Sequence, residues 1–358
     1  MSAAELWARL AGAGLVSGDP PPEDHTRQPW YVRAMLIVAG WLGAIFLFGF
    51  IATLIAFAVQ SAIGSITIGA GILALSRLVF RLRGTGDFTA QFGLAAAFTG
   101  QALFIFGLSE ILKADRVVFW LVLAACEVAL IALLPNFLHR IACTLIAALA
   151  FGVALEKIGM LFAGTGVVAA CCSAVWLGQS AWGKRIAVWE SVGIGLGIAL
   201  TAWDLHLLIA GFSVRHLDTV STWTLTAHVG RLLLAAVVMA TVAKLLARDG
   251  VNLVSRTSIA ALVGAALLGI VSWRAPGLLP SLLVALLGFA SGARFLVGLG
   301  LAGMIGFLSW YYYSLNATLL VKSGVLAATG AVLMLAHFAL GRMAPSESGA
   351  SHEGEHHA

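Results

Sequence analysis

The residues best placed to do chemistry in this chain are a few ionisable side chains set inside long apolar segments. Glu190, Gly193, Gly197, Thr201 and Asp204 fall at offsets 0, 3, 7, 11 and 14. At about 100° per residue those offsets share one narrow helix face. Gly193 and Gly197 form a GxxxG pair, which lets a second helix approach closely. The face is therefore expected against protein or a cavity, not against lipid. An ionisable group costs about 2.5–3.5 kcal/mol at the centre of a bilayer. Each one kept there is a candidate for ion pairing or for coupling to a moving proton or ion.

Asp204 has an expected partner. It lies near the end of its apolar segment, and Arg231 lies at a matching depth after the start of the next. If the two segments form a hairpin, Asp204 and Arg231 make a membrane-embedded ion pair, with His228 one turn from Arg231. Two roles stay open for that pair, a clamp between helices and a coupling site. Glu127 sits in mid-segment with no charged neighbour on its own helix. It is either a neutral, hydrogen-bonded packing group or a proton carrier. Gln101 and Thr99 are expected to hydrogen-bond between helices. Lys322 is expected to snorkel to an interface, and His206 and His337 to be packing residues.

Other chemistry is poorly represented. There is no nucleophile–base spacing, no phosphate loop and no metal-ligand cluster, so no enzyme activity and no cofactor are expected. Cys126, Cys143, Cys171 and Cys172 all lie in apolar segments, where they behave as small hydrophobes. His352-Glu353-Gly354-Glu355-His356 carries the letters of a zinc-protease motif. That chemistry needs both histidines on one rigid helix, and a Gly-centred polar tail does not supply one.

The elements that must position these residues are apolar blocks of membrane-crossing length. The chain of 358 residues is 61% hydrophobic and 10% charged. Blocks run at about 34–58, 62–80, 88–109, 117–135, 139–155, 158–178, 187–212, 224–247, 257–273, 276–291, 294–313 and 319–340. The expected fold is an all-α, polytopic transmembrane bundle of about twelve spans. Ten or eleven remain open, because the fifth and sixth blocks are divided only by Glu156–Lys157 and the ninth and tenth only by the turn around Arg274, Pro276 and Gly277.

Orientation follows from the basic residues. With the N-terminus inside, fourteen of the 21 Lys and Arg fall in segments on one face and six on the other, with Arg231 inside a span. The positive-inside rule then puts both termini in the cytoplasm. That asymmetry also accounts for the net charge of +5, and no basic patch interleaved with aromatics points to nucleic acid. Residues 1–33 read as a cytoplasmic amphipathic helix (2–13) and a Pro-rich linker, 34–340 as the transmembrane domain, and 341–358 as a disordered cytoplasmic tail. The first span is expected to act as its own insertion signal.

The stretch Trp310-Tyr311-Tyr312-Tyr313-Ser314-Leu315-Asn316-Ala317-Thr318-Leu319-Leu320-Val321-Lys322-Ser323 is an aromatic belt, a short outer turn and the start of the last span. It resembles the closing signature of a bacterial multispan membrane family, domain-of-unknown-function family 4401. The opening is similar too: a short helix ending in AGLV, an acidic Pro-rich linker, then PWYVR before the first span. The resemblance implies a bacterial inner membrane. It also implies two companions, a second multispan membrane protein and a small protein with a GDYxxLxY motif. It supplies no catalytic residues. Two functions are therefore carried forward. One is a non-catalytic component of a membrane assembly embedded in the lipid bilayer. The other is a proton- or ion-coupled small-molecule transporter using Glu127 and the Asp204/Arg231 face.

Overall fold

The computed structural model describes residues 3–16, 18, 31–32, 35, 38–43, 46, 49, 61–81, 87–160, 163–214, 221–252, 254–271, 277–314, 323–324 and 334. Most of the first and last apolar blocks, the Pro-rich linker, Lys322, His337 and the tail with His352–His356 lie outside the described residues. So does the side chain of His228.

Every described element is helical. The helix α1 spans Ala3–Gly12, as the amphipathic pattern predicts. Ten apolar helices follow: α2 (Ala62–Arg81), α3 (Asp87–Leu112), α4 (Val117–Leu133), α5 (Phe137–Lys157), α6 (Ala163–Leu177), then, after the short α7 (Gln179–Trp182) and a 3-10 turn (Gly183–Arg185), α8 (Ile186–Val214), α9 (Ser221–Arg248), α10 (Arg256–Val271), α11 (Leu278–Ser291) and α12 (Arg294–Ser314). Six of them, α2, α3, α5, α8, α9 and α12, are long and apolar enough to cross a membrane, while α4, α6, α10 and α11 are shorter.

The two thin divisions in the sequence are both helix breaks. After α5, Met160 N–H closes on Leu155 O at 2.8 Å, with Gly159 at φ 81°. This pattern ends a helix with a left-handed residue. Before α11, Gly277 stands at φ 92°, and a Cβ there would run into the Phe307 ring. That position accepts only glycine.

Three helix groups build the bundle. The α2–α3 hairpin closes along glycines: a Cβ on Gly69 would fall 2.6 Å from Gly100 O, and one on Gly107 2.5 Å from Ala62 O. The second group is the α4–α5 hairpin. The α4 carboxyl end is closed by two arginines, since Arg77 Nη1 donates to Leu133 O at 2.6 Å and Arg140 Nε to Ile131 O at 3.0 Å. Cations there satisfy carbonyls that the helix leaves open and oppose its dipole. Asn136 caps α5 by accepting from His139 N–H at 3.1 Å.

The third group is centred on α6, which packs on both α8 and α9, with the α11–α12 hairpin against it. Its core includes Val168, Cys172, Trp176, Leu200, Leu234 and Leu283. Among the described residues α8 and α9 make no extensive contact with each other, and α6 packs on both. The small residues of α6 permit this arrangement. A Cβ on Gly164 would meet Trp203 Nε1 of α8 at 3.0 Å, and one on Gly166 would meet Leu233 Cδ2 of α9 at 2.5 Å.

Candidate functional site

Two buried polar centres lie inside the helices, on different groups. The first is built around Glu127 of α4, only 1% exposed. Gln101 of α3 reaches it with an amide N–H, Nε2 to Oε2 at 2.6 Å. The same Nε2 lies 3.7 Å from Cys143 Sγ on α5. Cys143 Sγ in turn lies 3.3 Å from His139 Nδ1, one helical turn away. The His139 ring packs on Phe98 with centroids 5.4 Å apart, and Phe98 packs on Trp41 at 5.9 Å. Three helices are thus joined by a line of polar groups, Gln101–Glu127 and Cys143–His139, closed off by aromatic rings.

The interhelical role expected for Gln101 is met. Thr99 differs: its hydroxyl donates to Ala95 O of its own helix at 3.0 Å. A mid-helix threonine whose own turn offers a carbonyl satisfies itself there. Cys143 is fully buried, yet it does more than fill space, because it contacts both the amide and the imidazole. The sequence signal for it was the His139/Cys143 spacing of four, one turn of one face.

The second centre is Asp204 of α8, 6% exposed. Thr165 of α6 donates to its Oδ1 at 3.3 Å. Its Oδ2 is buried with no hydrogen-bond partner among the described groups. The adjacent Trp203 ring fills the space over Gly152 of α5 and Gly164 of α6, where an added Cβ would fall 2.8 Å and 3.0 Å from it. The expected contact with Arg231 is not among the described ion pairs and hydrogen bonds of Asp204. The described neighbour of the Asp204 carboxyl is Thr165 of α6. Arg231 is half-buried on α9.

The rest of the shared α8 face divides. Gly193 and Gly197 are buried, and Gly193 leaves room for the Trp176 indole, 2.6 Å from where its Cβ would be. Gly197 is in ordinary van der Waals contact with Leu296 and Val284. The closest backbone approach falls instead on Gly195, whose Cβ would lie 2.7 Å from Ile141 O of α5. Glu190 is exposed, a correction to its expected place on the buried face. The first turn of α8, with Ile186 and Ala187 also exposed, runs past its neighbours before Gly193 and Gly195 meet them. His206 pairs with Glu156 of α5 at 3.2 Å, a surface contact between the body of α8 and the end of α5.

Among the described residues Glu127 and Asp204 are not brought together, for there α4 has no extensive contact with α6 or α8. Among the described residues no three His, Cys, Asp or Glu side chains are placed to hold a metal. The exchange Asp204→Arg with Arg231→Asp is expected to give no better yield of monodisperse protein in mild detergent than Asp204→Arg alone. Full recovery by the pair would place the two side chains in contact.

Residues 29–343 match the model of a family described as "Domain of unknown function (DUF4401)". The chain belongs to this family. The match covers every helix from α2 to α12, so both polar centres of this DUF4401 chain lie within the family domain. No curated protein and no solved structure matches the chain.

Proposed function

We propose that this DUF4401 protein is a non-catalytic component of a multi-protein assembly in the bacterial inner membrane, acting through helix contacts. It crosses the bilayer about twelve times with both termini in the cytoplasm. Its companions are a second multispan membrane protein and a protein with a GDYxxLxY motif. One observation carries the reading: the two intramembrane carboxyls, Glu127 and Asp204, are each enclosed by side chains in separate helix groups. Neither carboxyl lines the two cavities described in the bundle, whose walls are almost wholly apolar. A coupled carrier needs its ionisable groups to meet water from at least one side. Polar residues that are closed off in this way hold helices together.

Coupled transport keeps one supporting observation, the continuous polar line Gln101–Glu127 and Cys143–His139 across three helices. The two functions separate on purification from native membranes with an affinity tag on the chain. Stoichiometric recovery of the second multispan protein is the expected result. A lone chain, recovered under conditions that preserve other inner-membrane complexes, would overturn the assembly.

A further inference from the structure

The α4 helix and α6 stand apart, with α5 and α8 between them. The gap is a groove of about 890 Å3. Its floor includes Thr144, Ala147, Val168 and Leu196, all buried, and its rims carry the exposed Val128 and Cys171. Two of the hydrogen-bonding groups in the lining are already used. The Thr144 hydroxyl donates to Arg140 O at 2.8 Å, and the Trp182 indole N–H to Val175 O at 3.2 Å. Such a lining suits hydrocarbon and gives water or a polar solute little to bind.

The dimensions are those of one leaflet. Along α8 the lining runs from Val188 to Leu196, which is about 12 Å at 1.5 Å per residue. Half of a bilayer's hydrocarbon core is about 15 Å. At one end Trp182 and Trp189 stack with centroids 3.9 Å apart, an aromatic pair of the kind that marks a headgroup level. The charge is at that same end. Arg185 is exposed in the turn just before α8, and Arg140 is half-buried, its Nε fixed on Ile131 O, with Ile131 itself in the groove wall. That bond uses one of five guanidinium N–H donors. Glu190 does not line the groove.

We propose that this groove is a binding site for one anionic phospholipid, with its acyl chains between α4 and α6 and its phosphate at the Arg140–Arg185 end. Basic pockets between membrane helices take anionic headgroups in this way. The site goes beyond the assembly role and does not depend on it. The test is native mass spectrometry of the full chain released from detergent, after it is offered equal amounts of dioleoylphosphatidylglycerol and dioleoylphosphatidylethanolamine. The expected result is one retained phosphatidylglycerol per chain, preferred about tenfold or more. Ala174→Phe, which fills the groove from an exposed wall position, is expected to lose that lipid. Arg185→Glu, at a fully surface site, is expected to keep a lipid but lose the preference for the anionic one. Equal retention by wild type and Ala174→Phe would overturn the proposal, as would no headgroup preference in the wild type. Cross-linking through Cys171 to a second polypeptide would also overturn it, since protein would then occupy the groove.

Discussion

Gly69→Leu is expected to cost about 3 kcal/mol or more, the upper range for forcing extra atoms into a packed interface. A Cβ at Gly69 would fall 2.6 Å from Gly100 O and 2.7 Å from Phe104 N, both backbone atoms of α3. Backbone atoms cannot swing aside as a long side chain can, so α2 and α3 must separate along their whole seam. The control lies two residues on. Gly71 of the same helix has nothing within 4 Å of an added Cβ and is exposed. Gly71→Leu is expected to leave stability almost unchanged, since it adds apolar surface where apolar surface already stands. Thermal unfolding of the two variants in one detergent gives the comparison. Equal melting points for Gly69→Leu and Gly71→Leu would mean that α2 and α3 do not meet through Gly69.

Glu127→Leu is the second large effect. It removes the acceptor for the Gln101 amide and leaves that donor buried, at a cost of about 1–3 kcal/mol. Glu127→Gln keeps the shape and an acceptor oxygen, and is expected to cost less. The double variant Glu127→Leu with Gln101→Leu is expected to recover most of the loss, because replacing both partners by apolar groups of similar shape removes the unpaired donor. A coupling role has a separate signature. A membrane-permeant carbodiimide would modify Glu127 in native membranes, and Glu127→Gln would abolish the modification. Modification of Asp204 alone, or of neither carboxyl, accords with an enclosed Glu127. Denaturant-free thermal shifts of the single and double variants give the energetic half of the test, and labelling with peptide mapping gives the chemical half.

The sequence made the helices legible and left their neighbours illegible. Apolar block length marks the ten apolar helices from α2 to α12, though not the short α7, and the thin separators at Glu156–Lys157 and Gly277 mark real breaks, because a helix end needs only one residue with positive φ. Partner choice is a different matter. The expected Asp204–Arg231 pair assumed that consecutive spans lie side by side, which is the usual tendency. Here Gly164 and Gly166 also let α6 be approached from both sides, by Trp203 of α8 and Leu233 of α9. A GxxxG spacing identifies a helix that can be approached but not the helix that approaches it. On α8 the closest contact fell on Gly195, between the two marked glycines. Of the polar centres, Glu127 and Gln101 stood out because a charge or amide in mid-span needs a partner. Thr165 and Cys143 did not, because a threonine or a cysteine in an apolar run needs none.

The place of α6 between α8 and α9 bears on how the chain is made. Helices leave the ribosome in order, and a bundle of simple hairpins could close two at a time as each pair inserts. Here α6 has one face ready for α8, while its other face, with Ser173 waiting for the Thr241 hydroxyl at 3.1 Å, stays uncovered until α9 has been synthesised. For that interval a stripe of small and hydroxylated residues is exposed to lipid, to an insertase, or to the wrong helix. Nascent chains stalled after α8 are therefore the form of this protein most open to degradation, and completion of α9 is the step that ends the exposure.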